Sequence, residues 1–524
     1  MDQQTDVPPT PAERRHSPSE VVIRSAEIDD IAAIAALADP TAPGLTPGQI
    51  RGQINSYAEG QLVAVFEGHV VGYAPSFILP EALALAGQPW AAITGDGHAA
   101  RHDPQGDWLY AMEMLIAPAT SRLRLSQRLE AARRRLCRSL GLKGIALAVP
   151  LTGYARRHKQ YPDPAAYLAA VVNQALRDPM ATPLLRAGFE AQHLLRAYRP
   201  EDRESAGHAA LLLWRNPQDE PAARRRLPAQ RMPATARVTT VQMQMREVES
   251  PHDFYRAIET FVDAAADYGS DFIVFPELFT LTMLTSEKRK LPPDEAIDWL
   301  SAITDDFVET LRRCATHYKI NIIGGSHPTR DASGKVRNIA YVALRDGRVH
   351  TQEKLHPTPD ERSCWAVEGG NTIDAIETDC GPIGVMICYD SEFPELARRL
   401  VDQGARMLFV PYCTDTRHGH LRVTLCCQAR AIENQAYVVT SGNVGILPDV
   451  ENMDLQYAQS AIFTPCDMPF ARDGIAAETS ENVEMVAMAD LDLSTLTWAR
   501  AQGAVRNLRD RRFDLYRTTW TEAE

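Results

Sequence analysis

The sequence predicts an α/β protein built from two α/β domains joined by a linker. Three observations carry that prediction. Short apolar runs alternate with stretches of helical periodicity along most of the 524 residues. Between Asn216 and Ala236 the composition shifts to Pro, Arg, Gln and Ala, and a new strand–helix series restarts at Val238. Hydrophobic residues make up 45% and charged residues 23%, an ordinary balance for a soluble chain of two to four domains.

Composition also bounds function. The formal net charge of −13 argues against a nucleic-acid partner. Neither a signal peptide nor an apolar run of membrane-spanning length is seen, so no membrane partner is expected. The nine cysteines are odd in number and include no Cys-x-x-Cys pair, which fits a reduced, cytoplasmic setting better than a disulfide framework.

Taken in order, residues 1–20 are rich in Pro, Gln and charge and read as a disordered tail. The first domain is expected over 21–215. A strand from Val21 runs into a helix, and strands Gln61–Phe66 and Val70–Phe77 flank a Glu67-Gly68 turn. After a long loop come a strand at Trp108–Ile116, a helix at Leu123–Leu140 and a strand at Ile145–Val149. A helix at Ala165–Leu176 and two closing strands, Gly188–Tyr198 and Ala209–Trp214, complete it. Residues 216–236 read as a linker, whose arginine cluster is a solvated run.

The second domain, over 237–517 with a tail at 518–524, opens with a strand at Val238. Phe254, Ile258, Phe261, Val262 and Ala265 then recur at helical spacing, with Gly269 beyond them. Phe272–Phe275 is a buried strand ending in Pro276-Glu277. A helix at Asp306–Tyr318 precedes Ile320-Asn-Ile-Ile-Gly-Gly-Ser, and Ala340–Leu344 and Val349–Glu353 flank an Asp346-Gly347 hairpin turn. Ile383–Ile387 forms a strand ending in Cys388, followed by a helix on which Leu396, Leu400 and Val401 share a face. Met407–Pro411, a helix at His420–Glu433 and a strand at Ala436–Thr440 come next.

Three strand ends carry chemistry. Cys388 stands where a strand gives way to a helix, a place whose free N–H groups and positive dipole end favour a thiolate. Glu277 and Lys354 also stand at strand ends, and residues so placed can converge on one crevice. Singly each has a plain explanation: a packed core cysteine, a solvated helix-entry glutamate, an exposed strand-end lysine. Together they suit acyl transfer from a C–N bond to water. Glutamate moves the proton, cysteine forms a thioester, and the lysine ammonium with the Tyr389 backbone N–H stabilises the oxyanion.

The segments Phe275-Pro-Glu277-Leu, Glu353-Lys354-Leu-His-Pro-Thr-Pro, Cys388-Tyr-Asp-Ser-Glu-Phe-Pro-Glu and Gln428-Ala-Arg-Ala-Ile-Glu-Asn434 resemble the nitrilase superfamily of carbon–nitrogen hydrolases, over residues 237–517. The resemblance implies an αββα sandwich with Glu277 as general base, Lys354 as oxyanion stabiliser and Cys388 as nucleophile. It further implies a second glutamate past the lysine, for which Glu361 is the best candidate and Glu368 the alternative. It also implies a homodimer or higher homo-oligomer, packed through the helices at Glu395–Gln403 and His420–Glu433. The superfamily's true nitrilases typically carry Trp-Glu after the cysteine, where this chain has Tyr389-Asp390, so an amide is expected over a nitrile.

The order of elements in 21–215 resembles a GNAT-type acetyltransferase domain. Where that family has a glycine-rich loop for the CoA pyrophosphate, this chain has Ile116-Ala-Pro-Ala-Thr-Ser-Arg122-Leu-Arg124-Leu-Ser126, with a side chain at every glycine position. Acetyl-CoA binding of the ordinary kind is therefore not expected. Glu113 reads either as a transferase base or as a strand-edge charge.

Tyr412, Thr414 and Asp415 follow a strand and are expected at the crevice rim as substrate-binding residues, with Asp415 either pairing with substrate or capping the next helix. Cys413, His418, His420, Cys426 and Cys427 match no metal-site spacing, so no metal is expected. The function predicted is thiol-dependent hydrolysis of a small linear amide or carbamoyl compound, with no cofactor required. The alternatives are a true nitrilase, a bifunctional acetyltransferase-hydrolase and a silent scaffold; the intact Glu-Lys-Cys set speaks against the last.

Overall fold

The computed structural model describes residues 21–38, 45–217, 234–516 and 518–521, apart from the side chains of Ala119, Ser121 and Arg122. The expected tail at 1–20, most of the linker at 216–236 and the last residues of the tail at 518–524 lie outside the described residues. The chain divides between residues 227 and 228 into two compact units. No helix among the described residues is long and apolar enough to cross a membrane.

In the first unit a proline decides the architecture. Strands β1 (Val22–Ser25), β2 (Leu62–Phe66), β3 (His69–Ala74) and β6 (Leu115–Ile116) make one sheet, in the order β1-β2-β3-β6. A second holds β4 (Ser76–Leu79), β5 (Trp108–Ala111), β7 (Gly144–Pro150), β8 (Glu190–Leu195) and β9 (Ala209–Arg215), ordered β4-β5-β7-β9-β8. The two single strands expected at 70–77 and 108–116 are each split, one half in each sheet. Pro75 has no N–H to continue a ladder, and Met112 N donates to its carbonyl at 2.9 Å. The buried guanidinium of Arg133 then takes the carbonyls of both break points, Pro75 at 2.8 Å and Met112 at 2.7 Å. Arg133 comes from the helix Leu125–Ser139, which seats Leu125 and Leu129 in the core beside β2 and β3. A helix at Pro47–Ser56 was not expected. Its Gly48 and Gly52 weaken the helical signal, yet Thr46 and Gln49 form a capping box and Ile50 and Ile54 are buried.

In the second unit, alternation along the strands sets the layers. The strands are β10 (Thr235–Met245), β11 (Phe272–Val274), β12 (Asn321–Ile323), β13 (His327–Arg330), β14 (Val336–Ala343), β15 (Val349–Glu353), β16 (Ile383–Val385), β17 (Met407–Tyr412), β18 (Tyr437–Gly445), β19 (Ala461–Phe463), β20 (Ile475–Glu478) and β21 (Met485–Asp492). Eight of them follow the order β13-β14-β12-β11-β10-β18-β17-β16, while β21 pairs with β10, β15 with β14, and β19 with both β18 and β20. β10 belongs to two sheets: residues 238–240 pair with β11, and residues 243–245 pair with β18.

Phe272 and Val274 of β11 point into a core shared with β16 and β17, where Phe272 and Phe409 place their rings 5.3 Å apart. Ile273 and Phe275 point the other way, onto Phe254, Ile258, Phe307 and Leu311 of helices Pro251–Asp267 and Thr304–Tyr318. Leu396, Leu400 and Val423 of helices Pro394–Asp402 and Arg417–Asn434 join the β16–β17 core. Helix, sheet, sheet and helix thus stack in four layers. The helices Pro293–Ala302, Pro359–Cys364 and Leu493–Gln502 and the strands β13 and β19–β21 were not read from the sequence.

Candidate active site

Glu277 lies three residues beyond β11, and the turn that carries it depends on a close approach. Gly325, at φ +61°, brings the chain after β12 so near that a Cβ there would lie 2.0 Å from the Pro276 carbonyl oxygen. That approach seats Ser326, whose carbonyl and hydroxyl accept the Leu278 N–H at 3.1 and 3.2 Å. From the other side Asn443 Nδ2 of β18 donates to the Glu277 carbonyl at 2.6 Å.

Lys354 follows directly on β15, with its N–H bonded to the Asn338 carbonyl of β14 at 2.8 Å. Cys388 follows β16 at φ +48°, a left-handed conformation that costs a side-chain-bearing residue about 1 kcal/mol. The short 3-10 turn Cys388–Glu392 holds it there, through a Ser391 Oγ bond to the Cys388 carbonyl at 2.7 Å. Arg430 supports the same turn, donating to the carbonyls of Ser391 at 3.0 Å and Glu392 at 3.2 Å while pairing with Glu433 at 2.8 Å. This gives the Gln428–Asn434 motif a physical reason. Asp390, fully buried, ties the turn to the lysine loop by accepting from Leu355 N at 3.2 Å, His356 N at 2.9 Å and His356 Nδ1 at 2.9 Å.

These turns bring the strand-end residues together. Lys354 Nζ donates to Glu277 Oε1 at 2.7 Å and to Glu361 Oε2 at 2.5 Å, with all three side chains buried. Glu361, in the helix Pro359–Cys364, is therefore the glutamate that reaches Lys354; Glu368 is exposed and pairs with Lys335 at 2.9 Å. Asn338 Nδ2 bridges the carboxylates from below, at 3.0 Å from Glu277 and 2.9 Å from Glu361. The Cys388 thiol donates to the Cys413 carbonyl at 3.7 Å and lies close enough to the Glu277 carboxylate for each to shift the other's pKa. The Tyr389 N–H falls in the first turn after Cys388, where a helix offers it no carbonyl.

Burial pushes Glu277 up to about 7, opposed by Lys354 and reinforced by Glu361. Burial works against the ammonium of Lys354, but Glu277 and Glu361 outweigh it and hold its pKa well above the ordinary lysine range. Burial also opposes the charge on Glu361, where Lys354, the Thr358 N–H and Asn338 prevail and keep it ionised. Cys388 departs from the expected thiolate. Burial and the Glu277 carboxylate drive its pKa well above the usual thiol value, and the helix whose dipole was to favour the anion begins only at Pro394. The resting pair is a neutral thiol beside a carboxyl poised near neutrality.

The three residues expected to bind substrate fare differently. The Tyr412 hydroxyl is buried and engaged with His420 Nδ1 at 3.2 Å and Gln459 N at 3.1 Å, so Tyr412 is part of the wall. Thr414 Oγ1 is spent on the Tyr457 carbonyl at 2.8 Å. Asp415 is exposed and does not cap the next helix, because Thr416 does. In the first unit Glu113 pairs with Arg199 at 3.2 Å, in the break between β5 and β6. Sequence reasoning missed Asn338, Asn443 and Asp390. For Asn338 a signal existed: it is the polar member of the buried face Val336, Asn338, Ala340, Val342.

The carbon–nitrogen hydrolase family model matches residues 237–501. This chain belongs to that family. It is a carbon–nitrogen hydrolase of the nitrilase superfamily. Over 501 residues it is 40% identical to the probable hydrolase YhcX of Bacillus subtilis (strain 168), covering 95% of this chain and 96% of that protein, so the likeness extends through both units. The omega-amidase NIT3 of Saccharomyces cerevisiae is 29% identical over 291 residues, 53% of this hydrolase and 94% of the relative. The deaminated glutathione amidase of Synechocystis sp. (strain PCC 6803 / GT-S) is 33% identical over 201 residues, 36% of this chain and 70% of that one. Among solved structures, Saccharomyces cerevisiae Nit3 superposes with a TM-score of 0.44 at 25% identity, over 52% of this chain and 95% of that chain.

Proposed function

We propose that this hydrolase cleaves a small linear amide or carbamoyl compound through a thioester on Cys388. The observation that carries the reading is the buried array of Glu277, Lys354 and Glu361 beside a neutral thiol. As the sulfur attacks the carbonyl carbon, Glu277 takes the thiol proton. The Lys354 ammonium and the Tyr389 N–H stabilise the oxyanion that forms. Protonated Glu277 then passes its proton to the leaving nitrogen, and amine or ammonia departs from the thioester. Water attacks next, losing a proton to Glu277, and the acid is released with the thiol restored. Glu361 keeps Lys354 charged throughout. Every proton and charge is handled by the chain itself, and no cofactor enters the scheme.

Amides are favoured over nitriles by the residues after the nucleophile, Tyr389-Asp390, and by the amidase names of the relatives. Intact-mass analysis after incubation with matched amide and nitrile pairs tests both points. An acyl adduct on Cys388 and faster acid release from amides is the expected result. Faster release from nitriles would reverse the substrate class, and an unmodified Cys388 under turnover would remove the thioester.

For the first unit we infer a GNAT-like fold that does not use acetyl-CoA in the ordinary way. The strand–helix order and the parallel pairing of β5 with β7 support the fold. The segment at the glycine-loop position, Pro118–Leu123, forms two short 3-10 turns that meet in a kink at Thr120, which engages backbone that pyrophosphate would need. Arg124 follows at φ +51°, a conformation suited to glycine but carried here by a long side chain. The side chain of Arg122 lies outside the described residues.

A further inference from the structure

Asn338 stands on β14 opposite Lys354, with Ile339 paired to Glu353 and the Lys354 N–H bonded to the Asn338 carbonyl. Its side chain is 1% exposed. One amide nitrogen carries two hydrogens, and here they reach two different carboxylates, Glu277 Oε1 at 3.0 Å and Glu361 Oε1 at 2.9 Å. Lys354 Nζ joins the same two carboxylates from its own side, at 2.7 and 2.5 Å. The four side chains close a buried ring of hydrogen bonds.

We propose that Asn338 is a positioning residue that fixes which oxygen of Glu277 serves the thiol. Both lone pairs of Oε1 are engaged, one by Lys354 and one by Asn338, which leaves Oε2 with lone pairs to spare for the Cys388 proton. Without Asn338, Lys354 could be met by either oxygen of Glu277, and the carboxylate plane would be free to turn. The amide orientation is set by charge. Flipped by half a turn, Asn338 would point oxygen lone pairs at two carboxylates; as it stands, it points donors at both. The cost of that orientation is visible: Asn338 Oδ1 is buried with no hydrogen-bond partner among the described residues. A residue that only filled space would be more stable as an apolar side chain of similar size.

This inference rests on Glu277 being the base that accepts the Cys388 proton, and the test separates the two. The rate of alkylation of Cys388 by iodoacetamide, read by mass spectrometry of the intact full-length chain, is measured against pH for the wild type, Glu277→Gln and Asn338→Leu. The wild type is expected to show a rise in rate as Glu277 ionises, and Glu277→Gln to lack it. In Asn338→Leu the ionised carboxylates lose their shared donor, so the rise should move to higher pH by about one to two units. Asn338→Asp, which adds a third carboxylate, should move it further in the same direction. If Asn338→Leu does not fold, Asn338→Ser, smaller and still able to donate one hydrogen bond, should show a smaller shift of the same sign. A rate lowered equally at all pH values, with the rise unmoved, would show a structural role and overturn the proposal alone. A rise that persists in Glu277→Gln would take the base assignment and this proposal down together.

Discussion

Glu277→Gln should lose hydrolysis, and its stability relative to the wild type should rise with pH in a way the site dictates. Glu277 is fully buried, and its pKa is pushed to about 7 from an ordinary 4.5. As pH rises from 4.5 to 7, the unfolded chain releases this proton while the folded chain keeps it, so folding becomes less favourable. A carboxyl with a raised folded pKa contributes stability that is full below its unfolded pKa and lost as pH climbs through the folded one. A shift of about 2.5 pH units corresponds to roughly 3 kcal/mol. Glutamine mimics the protonated acid, keeps an oxygen for Lys354 and Asn338, and never ionises. The weaker contact with Lys354 adds an offset that is constant across this range. The stability difference between Glu277→Gln and wild type should therefore grow by roughly 3 kcal/mol between pH 4.5 and pH 8, seen as a relative rise of about 5 °C in the melting temperature of the hydrolase unit. Differential scanning calorimetry at half-unit pH steps reads this directly. A difference that stays flat from pH 5 to pH 8 would refute the claim that this carboxyl is charged against the wishes of its surroundings.

Other outcomes follow from neighbouring features. Arg430→Ala should destabilise the unit by about 3 kcal/mol and slow acylation of Cys388, because it strands the Ser391 and Glu392 carbonyls and the partner Glu433; thermal melts and single-turnover rates check it, and an unchanged melting temperature would remove Arg430 from the support of the turn. The helix Arg417–Asn434 leaves Leu421, Leu425 and Ile432 exposed, Leu425 by 61%, a face suited to a second copy of the chain. Light scattering should find an oligomer that Leu425→Glu dissociates; a wild-type monomer at micromolar concentration would sink this. Titration calorimetry of the full chain with acetyl-CoA should show no saturable binding in the low micromolar range, and a clear isotherm would mean the 3-10 segment opens for the ligand.

Much of the hydrolase unit was legible because its strands are short, apolar and bounded by glycine or proline, and because four motifs fall at strand ends or on the helix behind them. Glu277, Lys354 and Cys388 could be placed together on that basis. What the sequence hid was cross-strand geometry. Asn338 and Asn443 look like ordinary strand polars until register sets one opposite Lys354 and the other against the Glu277 carbonyl. The thiolate expectation for Cys388 failed for a related reason: adjacency to a helix in sequence said nothing of the 3-10 turn between them or of the carboxylate beside the sulfur. In the first unit, the split at Pro75 was written in the sequence as a proline inside an apolar run. The sequence does not show what makes the break tolerable: the carbonyls at its two ends are satisfied by Arg133, an arginine from a distant helix.

The double membership of β10 bears on how the protein is made. The first unit completes its sheets once β9 has been synthesised, because β9 closes against β7 and β8. The strand β10 is translated soon after, yet its antiparallel partner β21 follows roughly 250 residues later, Thr235 matching Asp492 and Gln242 matching Met485. At about 5–20 residues per second, the ribosome leaves that apolar edge unpaired for at least ten seconds or so. An unpaired edge is a template for wrong partners. The Glu277 turn is held by Asn443 of β18, so even the general base waits on residues made long after it. The site residues are all made by Asn443, but the β10 edge waits for β21, so truncation between residues 446 and 484 should leave an assembled site beside an unpaired edge, a protein that is exposed before it is inactive.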